Sequence, residues 1–345
     1  MSVNELSHLQ PKLEPDGALG WRDIPLDGLN CYLRSIEAVL HSRGFSHDDV
    51  LFELGGPVTD QVPADGSPWF ALRNSRARWV LTSQEEDLWP AIEAQLRNRE
   101  PALVWPDYFY WPGSRFHGRR HVYDHAVLLT QLNDDRLTYL DIDADRRNGY
   151  VDSIAVDDQT RRAFKRLLVL RPGEPGRPPT PLEVRDMVTS SVPPLVRWAQ
   201  GMSRLVQQWW VDPSPRLAHA VEWWIFSDLQ PQLFLFTCIC EKYGEEDLAL
   251  AGHAATRQAK KAGLFLIALN EYRSAAPYGL GEGDLATLGD RLRDMAYVAL
   301  ASAEGDVRPG ADRRGERLWQ RLDGLSRWHV GYGIDRVEPA ASSGR

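Results

Sequence analysis

The run Arg171-Pro172-Gly173-Glu174-Pro175-Gly176-Arg177-Pro178-Pro179 constrains the fold of this chain more than any other stretch. Four prolines and two glycines in nine residues continue neither a helix nor a sheet ladder, so the chain changes structure there. The two sides differ in period. Before the run come short apolar, β-prone segments mixed with short helical ones. After it almost everything has helical spacing, as in Leu285, Leu288, Leu292, Met295 and Ala299, which step by 3, 4, 3 and 4. An α+β chain is expected, with a mixed half at residues 21–171, a linker at 172–180 and an all-helical half at 181–336. A loosely packed arm precedes them at 1–20, and a disordered tail follows at 337–345.

In the mixed half, Leu33, Ile36 and Leu40 mark a helix, with Asp27 or Asn30 as its N-cap and Gly44 beyond its C-terminus. The stretch Ser46-His47-Asp48-Asp49 can cap a short helix over Val50–Leu54. Arg78–Leu81 reads as a strand, Ser83-Gln84-Glu85-Glu86 as a capping box opening a helix through Leu88, Ile92 and Leu96, and Pro101–Trp105 as a buried strand. Arg166–Leu170 is the last strand. Helices are expected at 195–210, 217–226, 233–243, 247–272 and 285–299, separated by Pro213, Pro231, Pro277 and the Gly279–Gly283 cluster.

The first of these helices carries Cys31 in its first turn. A helix N-terminus favours thiolate over thiol, and its amides can bind an oxyanion. A thiol used this way needs a base, and the hairpin downstream offers one. His125–Leu132 and Arg136–Asp141 read as two strands around Asn133-Asp134-Asp135. A three-residue loop gives pairing partners whose numbers sum to 268. His125, Asp141 and Asp143 then lie on one face, with Asp141 within diagonal reach of the histidine. A helix-borne thiol, a strand-borne imidazole and a carboxylate on the next strand are the parts of acyl-transfer catalysis, with Asp143 as the alternative orienting carboxylate.

These stretches resemble a known family. Cys31 on its helix, Gly44-Phe45-Ser46, Leu54-Gly55-Gly56, the run from Pro101 to Tyr110 and Asp124-His125-Ala126-Val127 are similar to the BtrH-like acyltransferases of butirosin biosynthesis. The His-to-Asp spacing also resembles the papain-like domains that process bacteriocin leaders. The resemblance covers about residues 25–170. It departs from the family at the hairpin turn, Gln131-Leu132-Asn133-Asp134, and in lacking a glutamine shortly before Cys31. It implies a papain-like N-terminal domain, with the Cys31 helix packed on an antiparallel sheet, and a Cys31–His125–Asp141 triad. It also implies transfer of an acyl group from a carrier-protein or small-molecule thioester to an amine, in specialised metabolism. On that reading the protein needs no cofactor of its own, although the donor can ride on phosphopantetheine.

Substrate-binding candidates are Asn30, Trp105, Tyr108, Tyr110 and Arg120. Phe109 and Trp111 would line the same cleft, and Arg115, Arg119, Arg146 and Arg147 would join Arg120 in meeting a phosphate or an acidic carrier. Each aromatic also fits ordinary core packing, and each arginine a solvated loop. A thiol hydrolase using the same triad and a catalytically silent binding protein are the competing readings.

Other patterns carry less. His117, His121 and His125 are spaced for zinc on a helix, but Gly118 interrupts them and strand follows. Asp141, Asp143, Asp145 and Asp152 mimic a calcium loop without its glycine or its final glutamate. No metal site is expected. Gly279–Gly283 follows no strand, so it is no dinucleotide fingerprint. Cys238 and Cys240 read as core, and His41, His219, His253 and His329 show no partner in sequence. A net charge of −8 argues against nucleic-acid or membrane-surface partners. No run of 18 apolar residues and no signal peptide is seen, and three cysteines make no disulfide framework. A cytoplasmic protein is expected, with a homodimer left open.

Overall fold

The computed structural model describes residues 29–60, 72–80, 87–112, 114, 116–122, 125–141, 150–211, 215–272, 281 and 283–303. The chain is an α+β protein. Helices α1 (Cys31–Ser42) and α2 (His47–Leu54) lead into strand β1 (Arg76–Val80), helix α3 (Trp89–Arg97) and strand β2 (Ala102–Pro106). The hairpin β3 (Val127–Asn133) and β4 (Arg136–Asp141) follows, then β5 (Tyr150–Ala155), the short α4 (Asp158–Ala163) and β6 (Phe164–Arg171). The strands form one antiparallel six-stranded sheet in the order β1-β6-β2-β3-β4-β5. Residues 172–180 have no regular structure. Beyond them come α5 (Pro181–Val211), α6 (Pro215–Trp224), a π turn (Ile225–Leu229), α7 (Gln230–Lys242), α8 (Glu246–Tyr272) and α9 (Gly283–Ala303). No helix among the described residues is long and apolar enough to cross a membrane.

Strand β2 is buried along its whole length, as its unbroken apolar run requires of a strand covered on both faces. On one face, Leu103, Trp105, Leu128 and Leu140 pack with Leu33, Ile36 and Leu40 of α1. On the other, Val104, Val127, Leu129 and Leu137 pack with Trp89, Ile92 and Leu96 of α3. A third cluster, around Trp198, Phe236, Leu292 and Met295, fills the helical half.

Helix α7 welds the halves together. Its Phe234, Leu235, Cys238 and Ile239 belong to the core of α1 and α2, whereas Leu233, Phe236 and Cys240 face the bundle. The approach is close enough that a Cβ on Gly55 would sit 2.5 Å from Ile239 Cδ1 and 2.7 Å from the Leu51 carbonyl. A polar joint reinforces the contact. Asn30 Nδ2 donates to the carbonyls of Phe226 and Ser227 at 3.2 and 3.3 Å, and the Tyr32 hydroxyl donates to that of Ser227 at 2.5 Å.

Several elements differ from expectation. The hairpin turn has two residues, since Asn133 pairs with Arg136, and Asp134 adopts a positive φ of 49°. A β-bulge at Thr130 then shifts the register, so that Leu129 pairs with Tyr139 and Leu128 with Leu140. The expected sum of 268 therefore holds only on the far side of the bulge, and for a different reason. Had the ladder run on from a two-residue turn without the bulge, His125 and Asp141 would point to opposite faces. Strand β5 and helix α4 have no counterpart in the sequence reading. Helix α3 starts at Trp89, after Leu88, with no side-chain cap, while the capping box at 83–86 lies outside the described residues.

Pro231 does not separate two helices. The π turn carries the chain into α7, and Pro231 falls in that helix's first turn, where a missing amide costs little. Helix α5 also starts earlier than the expected 195, at Pro181 directly after the linker. Gly44 has the expected positive φ, 87°, and Ser46 caps α2 through a reciprocal bond with Asp49. Asp27, the arm, most of the Gly279–Gly283 cluster and the tail lie outside the described residues.

Asn30→Asp separates the two jobs of this side chain. It keeps an acceptor for the start of α1 and loses the donor to the π turn, placing a carboxylate against two carbonyls. Urea unfolding is expected to show a loss of roughly 1–3 kcal/mol. An unchanged midpoint would mean the joint contributes nothing to stability.

Candidate active site

Cys31 is the first residue of α1, half-buried, and Asn30 starts the helix by accepting the Leu33 amide at 3.1 Å. The amides of a first turn have no intrahelical acceptor and point out of the helix end. The sulfur lies where the sheet ends, and the Ala126 amide donates to Cys31 Sγ at 3.4 Å. His125 precedes β3 by two residues and Asp141 closes β4, so both sit at this same end. His125 Nε2 meets Asp141 Oδ1 at 2.6 Å, and the imidazole also hydrogen-bonds Cys31, which leaves Nδ1 for the sulfur. Tyr108 stacks on the imidazole with ring centroids 6.0 Å apart and planes 25° from parallel. The His125 side chain is 23% exposed and that of Asp141 10%, so the pair is shielded while the imidazole can be reached.

Burial alone would lower the His125 pKa. The hydrogen bonds to Asp141 and Cys31, with the negative charges on both, overcome it and carry the value from 6.5 to about 11. The imidazole is therefore held as a cation beside the sulfur at neutral pH. A value raised in the folded state makes protonation favour folding. That contribution is complete below about 6.5 and is lost as the pH rises through about 11. The other two thiols lie in the apolar core. Burial, with a smaller contribution from Glu241, pushes Cys238 up to about 12, and burial raises Cys240 as well.

The structure brings Cys31, His125, Asp141 and Tyr108 together. Asn30 stands beside them, but its Oδ1 caps α1 and its Nδ2 binds the π turn, so both polar atoms are used within the protein. Trp105 is 2% exposed and packs on Tyr32 beneath α1, a core position rather than a cleft wall. Tyr110 lies on the α3 side of the sheet, under Lys165 and edge-on to Phe109. Trp111 is buried there against Tyr139. Arg119 and Arg120 are exposed on the turn after Phe116. Asp143, Arg115, Arg146 and Arg147 lie outside the described residues.

The three spaced histidines diverge to separate partners. His117 reaches Gln159 at 2.9 Å, His121 reaches Asp107 at 2.7 Å, and His125 takes Asp141. Two of the remaining histidines have partners that the sequence did not reveal. His253 meets Glu241 at 3.1 Å, and His41 meets the Phe45 carbonyl at 2.8 Å.

The sequence reading also missed the π turn, whose carbonyls hold the start of α1. Asp228 lies on this turn, where burial holds its carboxyl up to about 7. Its one sequence signal is an acidic residue set between apolar stretches, Ile225-Phe226 and Leu233–Phe236.

The described residues thus form an α+β protein with a thiol, an imidazolium and a carboxylate in line where a helix N-terminus meets the end of a sheet. Neither a protein-family model nor a curated protein matches the chain.

Iodoacetamide at pH 7 is expected to alkylate Cys31 at least ~10-fold faster than Cys238 or Cys240, and His125→Ala to remove most of that advantage. Peptide mass mapping reads the three rates separately. Equal labelling of the three cysteines would show that Cys31 is not activated.

Proposed function

We propose that this protein is a cysteine-dependent acyltransferase that passes an acyl group from a thioester, through acyl-Cys31, to an amine. One observation carries the reading: His125 lies between Cys31 and Asp141, with the imidazole held as a cation. The N-terminal half is read as a divergent papain-like domain of the BtrH-like kind. Its sulfur-bearing helix on an antiparallel sheet and its histidine at the hairpin's start are consistent with that reading.

The Cys31 thiolate attacks the thioester carbonyl, and the resulting oxyanion takes a hydrogen bond from the Cys31 amide at the helix start. Collapse breaks the donor's C–S bond. The departing thiol carries away the His125 proton, leaving acyl-Cys31 and a neutral imidazole. An amine then attacks the acyl carbon and gives its proton to His125. The amide leaves, and the thiolate–imidazolium pair is restored. Asp141 keeps Nε2 engaged, so that Nδ1 serves both transfers. Joined to the start of α1, the helical half limits the approach of water and favours the amine over hydrolysis. Arg119 and Arg120, on an exposed turn near Tyr108, suit the phosphopantetheine phosphate or the acidic surface of a carrier protein.

The test is intact-protein mass spectrometry after incubation with acyl-thioesters, both carrier-bound and small-molecule. An adduct of one acyl mass is expected on the wild type, absent from Cys31→Ala, and discharged faster by added amines than by water. Discharge by water alone would make the protein a thiol hydrolase. No adduct with any donor in the panel, from a chain whose Cys31 also fails to alkylate selectively, would leave a binding protein.

A further inference from the structure

At the far end of the catalytic helix, three side chains converge that the triad does not use. Glu37 and His41 stand one turn apart on α1, and His47 opens α2 across the Gly44 corner. Their ligand atoms all lie within 4.8 Å of one another. We propose that Glu37, His41 and His47 form a binding site for one divalent transition-metal ion, zinc foremost, which staples α1 to α2. This inference does not depend on the acyltransferase reading.

Three observations point to a cation. First, His41 Nδ1 lies 2.8 Å from the Phe45 carbonyl, which accepts only, so Nδ1 carries the proton. The lone pair of the neutral imidazole is then on Nε2. A backbone carbonyl fixing the opposite nitrogen is the usual second contact of a metal-bound histidine. Second, Nε2 faces Glu37 Oε1 at 3.7 Å. Two acceptors so placed oppose each other unless a positive charge lies between them. A proton on Nε2 would supply that charge as an ion pair too long for a hydrogen bond, whereas a metal ion would bind both atoms directly. Third, Glu37 is only 2% exposed, and its Oε1 accepts no hydrogen bond from any described residue. A buried carboxylate oxygen left this way is costly, and a metal ion removes the cost.

The dimensions suit zinc. Donors about 2.0–2.1 Å from a tetrahedral ion lie about 3.3 Å apart, so small rotamer adjustments would close this cluster onto it. The two histidine rings already stand edge to face, with centroids 4.8 Å apart. Two imidazoles and one carboxylate leave a fourth position for water. The site is structural. Ten residues of helix separate His41 from Cys31, about 15 Å along the axis, so the ion cannot touch the sulfur. It would instead lock the corner that seats α1 on the sheet.

The experiment strips the full chain with a chelator and titrates it with Zn²⁺, with Co²⁺ as a spectroscopic substitute. Expected are one zinc per chain by elemental analysis, a higher melting temperature with zinc, and ligand-field bands of a four- or five-coordinate cobalt site. Glu37→Gln and His47→Gln should each weaken binding at least ~10-fold. His47→Gln leaves the Ser46–Asp49 cap of α2 intact, so circular dichroism can show that it folds even if the buried Glu37 variant does not. Cys31→Ala should bind like the wild type. Zinc binding no tighter in the wild type than in His47→Gln would overturn the proposal. So would a thiolate-to-cobalt band that disappears in Cys31→Ala, because the metal would then sit at the triad.

Discussion

The side chain of Asn30 is the constraint on which the arrangement depends. Its oxygen begins the helix that carries Cys31, and its nitrogen ties that beginning to the π turn of the helical half. A thiol at a helix start is useful only if the start is held still, and a serine or threonine cap would supply the first bond without the second. The Tyr32 hydroxyl adds a bond to the same carbonyl of Ser227. The two residues that flank Cys31 thus couple the position of the sulfur to a segment almost 200 residues away. The π turn explains why carbonyls are available there, since an i→i+5 step disturbs the regular ladder and can leave backbone acceptors for other donors.

The second constraint is parity. A strand alternates faces with every residue, so one extra residue decides whether His125 and Asp141 can meet. The two-residue turn at Asp134–Asp135 sets the wrong parity for the site, and the bulge at Thr130 restores it. The same bulge lets Leu132 join Val127 and Leu129 on the α3 side of the sheet. Packing and the site therefore ask for the same irregularity, which ties the geometry of the pair to the core.

Much of this was legible in the sequence, for physical reasons. Leu33, Ile36 and Leu40 betray α1, the unbroken run at Ala102–Trp105 betrays a central strand, and the spacing of His125 and Asp141 brings them together. The correct register was reached through a turn of the wrong length, because a bulge leaves no clear mark in a run such as Leu128-Leu129-Thr130-Gln131-Leu132. The π turn was hidden because Pro231 looks like a break, although a proline is harmless in a first turn. Trp105 illustrates the limit of reading aromatics near a histidine as cleft lining, since strand alternation turns it into the core. His41 shows no partner in sequence because the Phe45 carbonyl and the His47 ring reach it only where α1 and α2 turn a corner.

The central claim is that His125 rests as a cation between Cys31 and Asp141. The most direct measurement is the protonation of its ring by ¹⁵N-detected imidazole NMR, with the signal assigned by its loss in His125→Gln. The ring should remain doubly protonated at neutral pH and titrate only toward about 11. In Asp141→Asn the midpoint should fall toward the ordinary value near 6.5. A wild-type His125 that titrates near 6.5 would contradict the account, because neither the sulfur nor the carboxylate would then be holding its proton.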